Sequence, residues 1–338
     1  MPPQQQHIVI AVGDDRPGTG RRPDQPVIDM PAVRQFHVRD PDVQPRVGVQ
    51  RLLGVDGPAH ARQYASGPRR ITPLRAAARA GILPNVDPQI VRYSERPELW
   101  DGRGDLFDDV WPEYNQHGDE LNYYWRQLYD VFPEWQFMLL DPADQTILAE
   151  GHTVPVAWDR TDEGLGPGID ATIAGAFRLR EEGGRPTAVS AMAAEVPPRH
   201  QGRGLAPVML TAMAALTREA GLEHLIAPIR PSHKDRYPTI PIERYARWAL
   251  DDGTPFDPWV RVHVRMGARI GPVIPRSLHI TGTVADWESW TQMRFPETGD
   301  YVFPAGLATV RIDREKNTGE YWEPNVWIIH QAGHQAGR

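Results

Sequence analysis

The stretch Val196-Pro-Pro-Arg-His-Gln-Gly-Arg-Gly-Leu-Ala206 decides how this chain is read. It joins two strongly patterned segments. Before it, Thr187–Val196 is a short apolar run of strand type in which Glu195 is the sole acid. After it, Leu205, Met209, Ala212, Met213 and Leu216 recur at helical spacing, and Gly221 closes the run. Gly202 and Gly204 lie between, interleaved with Gln201 and Arg203. Glycines let backbone N–H groups approach an anion closely, and a helix N-terminus adds unpaired donors and partial positive charge. Pro207 falls in the first helical turn, where its missing N–H costs little. A strand, a glycine loop and a helix in this order make a pyrophosphate cradle, with Arg203 and Arg199 as outer countercharges. A tight turn that holds nothing is the plainer alternative.

Working outward, Gln89–Tyr93 alternates like a strand, and the pattern then predicts helices over Pro97–Val110 and Asp119–Val131. Strands at Trp135–Leu140 and Ile147–Trp158 are joined across Asp141-Pro-Ala-Asp144, a turn sequence, so they should pair antiparallel. A helix over Ile169–Glu182 precedes the strand at Thr187–Val196. The helix over Gly204–Ala220 leads to a buried strand, His224–Ile229, and another helix is expected at Pro258–Met266. Ser277–Thr283, Val284–Trp290, Leu307–Ile312 and Asn325–His330 read as strand, helix, strand and strand. This order predicts a mixed α/β domain with at least one parallel strand–helix–strand crossover.

In this register the sequence resembles the GCN5-related N-acetyltransferase (GNAT) superfamily. Its acyl-CoA signature is Gln/Arg-x-x-Gly-x-Gly/Ala, preceded by Val-x-Pro at the end of the fourth strand. Gln201-Gly202-Arg203-Gly204-Leu205-Ala206 matches, with Val196 and Pro198 in place. A second register from Arg199 to Gly204 also fits the pattern, and the Val-x-Pro placement favours Gln201. The resemblance covers residues 89–271 and does not touch residues 1–88. It implies a mostly antiparallel mixed sheet, flanked by helices, whose central strands, ending at Val196 and Ile229, splay apart. It also implies acetyl-CoA or another acyl-CoA as co-substrate, with the diphosphate on backbone amides from Gly202 to Ala206. Pantetheine would pair with main chain at Glu195–Val196. Val196, Gln201, Gly202, Arg203, Gly204, Leu205 and Ala206 are therefore the expected cofactor-binding residues.

Acyl transfer to an amine needs a base for the ammonium and an acid for the departing thiolate. In the superfamily a tyrosine on the helix after the fifth strand often supplies that acid, four residues before Gly-Phe. Aligning Gly267 puts His263 at the tyrosine position and Ala268 at the phenylalanine position. His263 is thus either the acid or a packing histidine. Glu195 is either the base, directly or through water, or a strand-end glutamate paired with Arg199. Arg230 stands where the family often has asparagine. Arg230, with His233 and Tyr237 in the long connection that follows, either binds an acidic or aromatic acceptor or belongs to a packed excursion capping the sheet. The acceptor is read as a small-molecule or peptide amine. Two other functions fit the same residues: a catalytically silent acyl-CoA sensor, and an acyltransferase served by an acyl-carrier protein docking near Arg199 and Arg203.

The chain has 338 residues and no cysteine, with 40% hydrophobic and 24% charged residues and a net charge of −7. The absence of cysteine excludes disulfides, thiolate zinc sites, iron–sulfur clusters and a cysteine nucleophile. No run approaches 18 apolar residues, so no membrane role is expected; the acidic balance argues against a nucleic-acid binder, and a cytoplasmic location is expected. Among the 12 histidines no pair or carboxylate–histidine cluster with ligand spacing stands out, so no metal is expected. The average charge hides a division. Residues 1–88 hold 13 of the 34 prolines and no Trp, Lys or Glu, and their 12 Arg and 8 Asp make them net +4. The remainder is −11 and carries all 11 tryptophans. Residues 1–88, with one convincing strand at His7–Val12 and a short helix near Pro73–Ala80, are expected to be a disordered arm. A start codon assigned too far upstream would leave the same mark. Gly13 and Gly18 have P-loop spacing, but Thr19 and Gly20 replace the required Lys-Ser/Thr. Residues 89–330 are read as the acyltransferase-like domain with a C-terminal extension. Its exposed Trp and Tyr residues would suit a homodimer interface. Residues 331–338 read as a polar tail.

Overall fold

The computed structural model describes residues 88–332; the expected arm, with its strand and helix, and most of the tail lie outside them. The elements run β1 Gln89–Arg92, α1 Glu98–Asp101, α2 Leu121–Trp125, α3 Leu128–Val131, β2 Gln136–Leu140, β3 Ile147–Val156, α4 Ile169–Glu181 and β4 Ala188–Glu195. They continue through α5 Leu205–Glu219, β5 His224–Ile229, α6 Ile242–Tyr245, α7 Pro258–Arg265, β6 Arg269–Gly282 and α8 Val284–Thr291. The chain ends on β7 Gly299–Tyr301, β8 Val310–Asp313 and β9 Thr318–Gln331. Among the described residues no helix is long and apolar enough to cross a membrane.

The strands form one sheet in the order β1-β2-β3-β4-β5-β9-β8-β7, with β6 also paired to β9. Every pairing is antiparallel except β4 with β5, which is parallel and joined by the crossover helix α5. Side chains alternate across the sheet with period two. Leu225, Ala227 and Ile229 of β5, with Val326 and Ile328 of β9, pack with α5 and α7 in one core. Ile226, Trp327 and Ile329 turn to the other face, where α4, α8 and Tyr114 complete a second core. Two independent cores on one sheet explain why its central strands read as continuous apolar runs.

The strands β1–β5 and the helices α4, α5, α7 and α8 follow the sequence pattern closely, whereas β6 starts at Arg269, eight residues before the expected Ser277. Three further elements also differ. The helix expected over Pro97–Val110 stops at Asp101, because Gly102 follows and Gly104 takes φ +55°. The helix expected over Asp119–Val131 breaks at Arg126 and Gln127, which lets Leu128 enter the core while Trp125 meets His152. The strand expected near Asn325–His330 is twice that length, because β9 is an inner strand with partners on both edges.

Trp327 illustrates the cost of disturbing that strand. It is 1% exposed, and its indole Nε1 donates to Gly166 O at 3.1 Å. Trp327→Ala should cost about 3–5 kcal/mol. Urea unfolding should show this as a lowered midpoint with an unchanged slope.

Candidate active site

The loop after β4 has the geometry of an anion cradle. Gly202 and Gly204 adopt φ +70° and +72°, a left-handed conformation that favours glycine. Gly204 is the N-cap of α5, and no side chain caps the first turn. The leading N–H groups of a 15-residue helix are therefore left for another acceptor. A Cβ on Gly202 would meet no protein atom within 4 Å, so the loop is open where an anion would approach. Gln201 Nε2 donates to Val196 O at 3.0 Å and ties the loop to the strand end. Arg203 and Arg199 contact opposite ring nitrogens of His200 at 3.0 and 3.3 Å. Burial and these two cations lower the pKa of His200, so it stays neutral beside the loop.

The neighbouring strands part. β4 and β5 pair only at Val189–Leu225 and Ser190–Ile226, near their N-terminal ends. Just beyond, β3 Thr153 faces Ala191 while His152 faces Ala193, so Met192 is an extra residue in β4. A β-bulge bends its strand and raises the local twist. The bend turns the rest of β4 away from β5, and the edge from Ala191 to Glu195 is left unpaired toward β5. This opening is the splay that the acyl-CoA signature implies, with a free main-chain edge for an extended ligand.

A cavity of about 340 Å³ reaches the same opening. Its lining includes Leu121, Ile169 and Leu278, which belong to the core on the face opposite α5. Met192 and Pro228 line it at the parting of the strands, and Glu195 stands at the end of β4.

Glu195 is held in an unusual environment. It is the register partner of Glu150 on β3, so two carboxylates are direct cross-strand neighbours. Glu150 is fully buried and well supplied with partners: an Arg103 ion pair, Trp100 Nε1, and Tyr129 OH at 2.8 Å. Glu195 accepts a hydrogen bond from Trp111 Nε1 at 2.7 Å. The Nε2 of His152 lies 3.4 Å from Glu150 Oε1 and 3.9 Å from Glu195 Oε1. The tautomer of His152 follows from Gln136. Gln136 Nε2 donates to Phe132 O and Thr153 O at 3.0 and 3.1 Å, so its Oε1 must be the atom facing His152 Nδ1 at 3.0 Å. That places the proton on Nδ1 and leaves Nε2 a lone pair among carboxylates.

Burial first, and the Glu150 charge second, push the Glu195 pKa up to about 8. Burial lowers His152 to about 4. Glu150, His152 and Glu195 each offer an atom within 4.8 Å of the others, a spacing that a metal could span. However, Arg103, Trp100 and Tyr129 already occupy Glu150, so the trio suits a proton better than a cation.

A second buried group completes the lining. Arg230, just past β5, donates from Nε to Glu323 Oε2 at 3.0 Å and from Nη2 to Tyr114 OH at 2.9 Å. Glu323 also accepts from Asn115 Nδ2 at 3.2 Å. Glu323 and Asn325 lie on the edge of β9 between its pairing with β5, which stops at Val326, and its pairing with β8, which starts at Glu320.

The candidate residues therefore divide. Glu195 and Arg230 line one cavity, with the loop of Gln201–Ala206 on the other side of the split. His263 is elsewhere. It is fully buried on α7, with Nδ1 2.7 Å from His330 Nε2, and His330 is registered with Leu225 at the closed end of the β4–β5 pair. Burial holds its pKa well below the usual value. The structure thus corrects its assignment as the acid: its place is a packed core. His233 N donates to Asp257 Oδ2 at 2.9 Å, and Tyr237 packs against Tyr245, Trp248 and Phe256, so neither lines the cavity. Sequence reasoning missed Glu150, His152, Trp111 and Glu323. A clue existed for two of them. Glu150 and His152 are spaced i, i+2 on a strand and so share a face.

The cradle and the buried acid are separately testable. Gly202→Asp should weaken CoA binding about tenfold or more in calorimetry, with unfolding shifted by only about 1 kcal/mol for the left-handed φ. For Glu195 the sign is as follows. Its folded pKa is raised, so its stabilising protonation is complete below the unfolded value near 4.5 and is lost as pH rises through about 8. Below 6.5 the buried His152 opposes it, since that neutral ring favours folding as pH rises from 4. Glu195→Gln should therefore gain stability over the wild type between pH 6.5 and 8.5, read by thermal unfolding.

No family model matches the chain. The arginine N-acetyltransferase avaD of Aspergillus versicolor is 29% identical over 267 residues, covering 70% of this chain and 91% of that protein. Among solved structures, the loading GNATL domain of CurA from Lyngbya majuscula superposes with a TM-score of 0.47 at 18% identity, over 75% of this chain and 100% of that one. The polyamine N-acetyltransferase of Drosophila melanogaster gives 0.36 at 13%, over 72% and 100%. The Gln201–Ala206 signature and the parted strands fit the resemblance to the GCN5-related N-acetyltransferase superfamily, and the likeness to the relative of A. versicolor supports an N-acyltransferase.

Proposed function

We propose that this chain moves an acetyl or other acyl group from acyl-CoA to the amine of a small cationic acceptor, by direct attack on the thioester. One observation carries this reading. The glycine loop and the Glu195 cavity approach the same parting of β4 and β5 from opposite faces of the sheet. A donor lying over the start of α5 and an acceptor in the cavity would meet there. The lining offers carboxylates at Asp108 and Glu195 to an ammonium beside the rings of Phe107, Trp111 and Trp125, and guanidiniums at Arg103, Arg126 and Arg230. The relative of A. versicolor is named for acetylating arginine, which agrees with such an acceptor.

Glu195 is the general base in this scheme. An amine arrives as its ammonium and must lose a proton before it can attack. A carboxyl with a pKa of about 8 lies much closer to an amine's ammonium than an ordinary carboxylate does, which makes it the stronger base. A guanidinium, above 12, would resist the same base by more than four powers of ten. The first proton passes to Glu195. As the C–N bond forms and the C–S bond breaks, the attacking nitrogen releases a second proton, which neutralises the departing thiolate. Main-chain N–H groups on the free edge of β4 are the nearest backbone donors for the developing oxyanion. The chain has no cysteine, so an acyl-cysteine intermediate is excluded.

Thiol release from acetyl-CoA across an amine panel tests this scheme. Wild type should show kcat/KM rising with pH to a plateau, with a midpoint near 8. Glu195→Gln should lower kcat by about 10²–10⁴ and flatten that limb. If CoA binds tightly and no amine is turned over, the silent acyl-CoA sensor becomes the better reading.

A further inference from the structure

The guanidinium of Arg230 is only partly used by the protein. Its side chain is 2% exposed. Nε bonds Glu323, and Nη2 bonds Tyr114 OH and the carbonyl of Ala305, but Nη1 has no hydrogen-bond partner. A buried charged donor left without an acceptor is costly, and native proteins rarely keep one without a use. Arg230 lines the cavity, together with the buried Asn115 and Asn325.

Its position relative to Glu195 restricts what that use is. Ser190 and Ile226 are the last paired residues of β4 and β5. Arg230 follows Ile226 by four residues, and Ala194 follows Ser190 by four. With the extra residue at Met192, Arg230 stands across the opening from the Ala194–Glu195 end of β4. A proton acceptor on β4 and a guanidinium donor just past β5 therefore line the same cavity from the two strands that part.

We propose that Arg230 Nη1 receives the carboxylate of an α-amino acid whose ammonium group faces Glu195. An α-amino acid carries both groups on one carbon, so it can span a base and a guanidinium on opposite walls of a narrow site. The planar guanidinium is the side chain best shaped for a carboxylate. Glu323 offsets its charge, so the bound carboxylate completes the hydrogen bonding of the site more than it neutralises it. The amino-acid side chain then extends toward Phe107, Asp108 and Trp125, where a second cationic group is accommodated. This inference rests on the acyl-transfer reading and adds the acceptor class to it.

The test varies the acceptor, so it does not depend on a mutant folding. L-Arginine, L-lysine and L-ornithine are compared with agmatine, cadaverine and putrescine, their decarboxylated counterparts, as acceptors for acetyl-CoA with the full chain. At least one amino acid should exceed its amine by tenfold or more in kcat/KM. If the amines are turned over and no amino acid exceeds its amine, the proposal fails. Calorimetric titration of the same six compounds into the CoA-loaded protein is read in parallel. A tenfold binding preference for an amino acid without turnover would sink the acyl-transfer reading and leave the carboxylate subsite standing. Absence of binding by all six would overturn the subsite. Arg230→Met should erase the preference and Arg230→Lys retain part of it, with near-UV circular dichroism reporting on the fold. A preference unchanged in a folded Arg230→Met protein would also overturn the assignment.

Discussion

The site depends on one irregularity, the extra residue at Met192 in β4. Parallel strands joined by a helix ordinarily stay hydrogen-bonded along their length. Here the bulge turns β4 away after only two residues paired with β5. The opening exposes a main-chain edge, admits the cavity from one face and lies beside the start of α5 on the other. An unbroken β4–β5 ladder would separate the loop and the cavity by a continuous sheet. The bulge is affordable because both strands are secured elsewhere: β4 by its long pairing with β3, and β5 by β9.

The same register that anchors β4 creates its chemistry. Glu150 and Glu195 are neighbours only because β3 and β4 pair in one register, and a slip of one residue would send one carboxylate to the other face. Like charges side by side are unfavourable in a buried place, and the protein treats the two acids differently. Arg103, Trp100 and Tyr129 bond Glu150, whereas burial and the neighbouring Glu150 charge favour the proton on Glu195.

The C-terminal elements do more than extend the sheet. β9 supports β5 along its inner half and then projects Glu323 and Asn325 into the gap that β5 leaves. Tyr321 and Tyr114, packed with Trp287 and Phe303, hold Glu323 and Arg230 in place. The aromatic residues concentrated in this part of the chain therefore brace a buried ion pair on the cavity wall.

Much of this was legible in the sequence, because it is local. The 2.0 and 3.6 periodicities marked the strands and the longer helices. The glycine pair before an amphipathic helix marked the cradle, since only glycine readily takes the left-handed φ found at positions 202 and 204. A single acid in an apolar strand marked Glu195. What the sequence could not contain was pairing across distance. Glu150 and Trp111 lie 45 and 84 residues from Glu195, and Glu323 lies 93 from Arg230, so no spacing rule links them. His263 failed for the complementary reason: its sequence position matched a family tyrosine, but the packing of α7 on β9 turned it toward His330 in the core. Local sequence determined which elements form and where an anion is cradled. Tertiary structure decided which carboxylate holds a proton and which guanidinium nitrogen remains available, because both depend on burial and on neighbours that only the fold supplies.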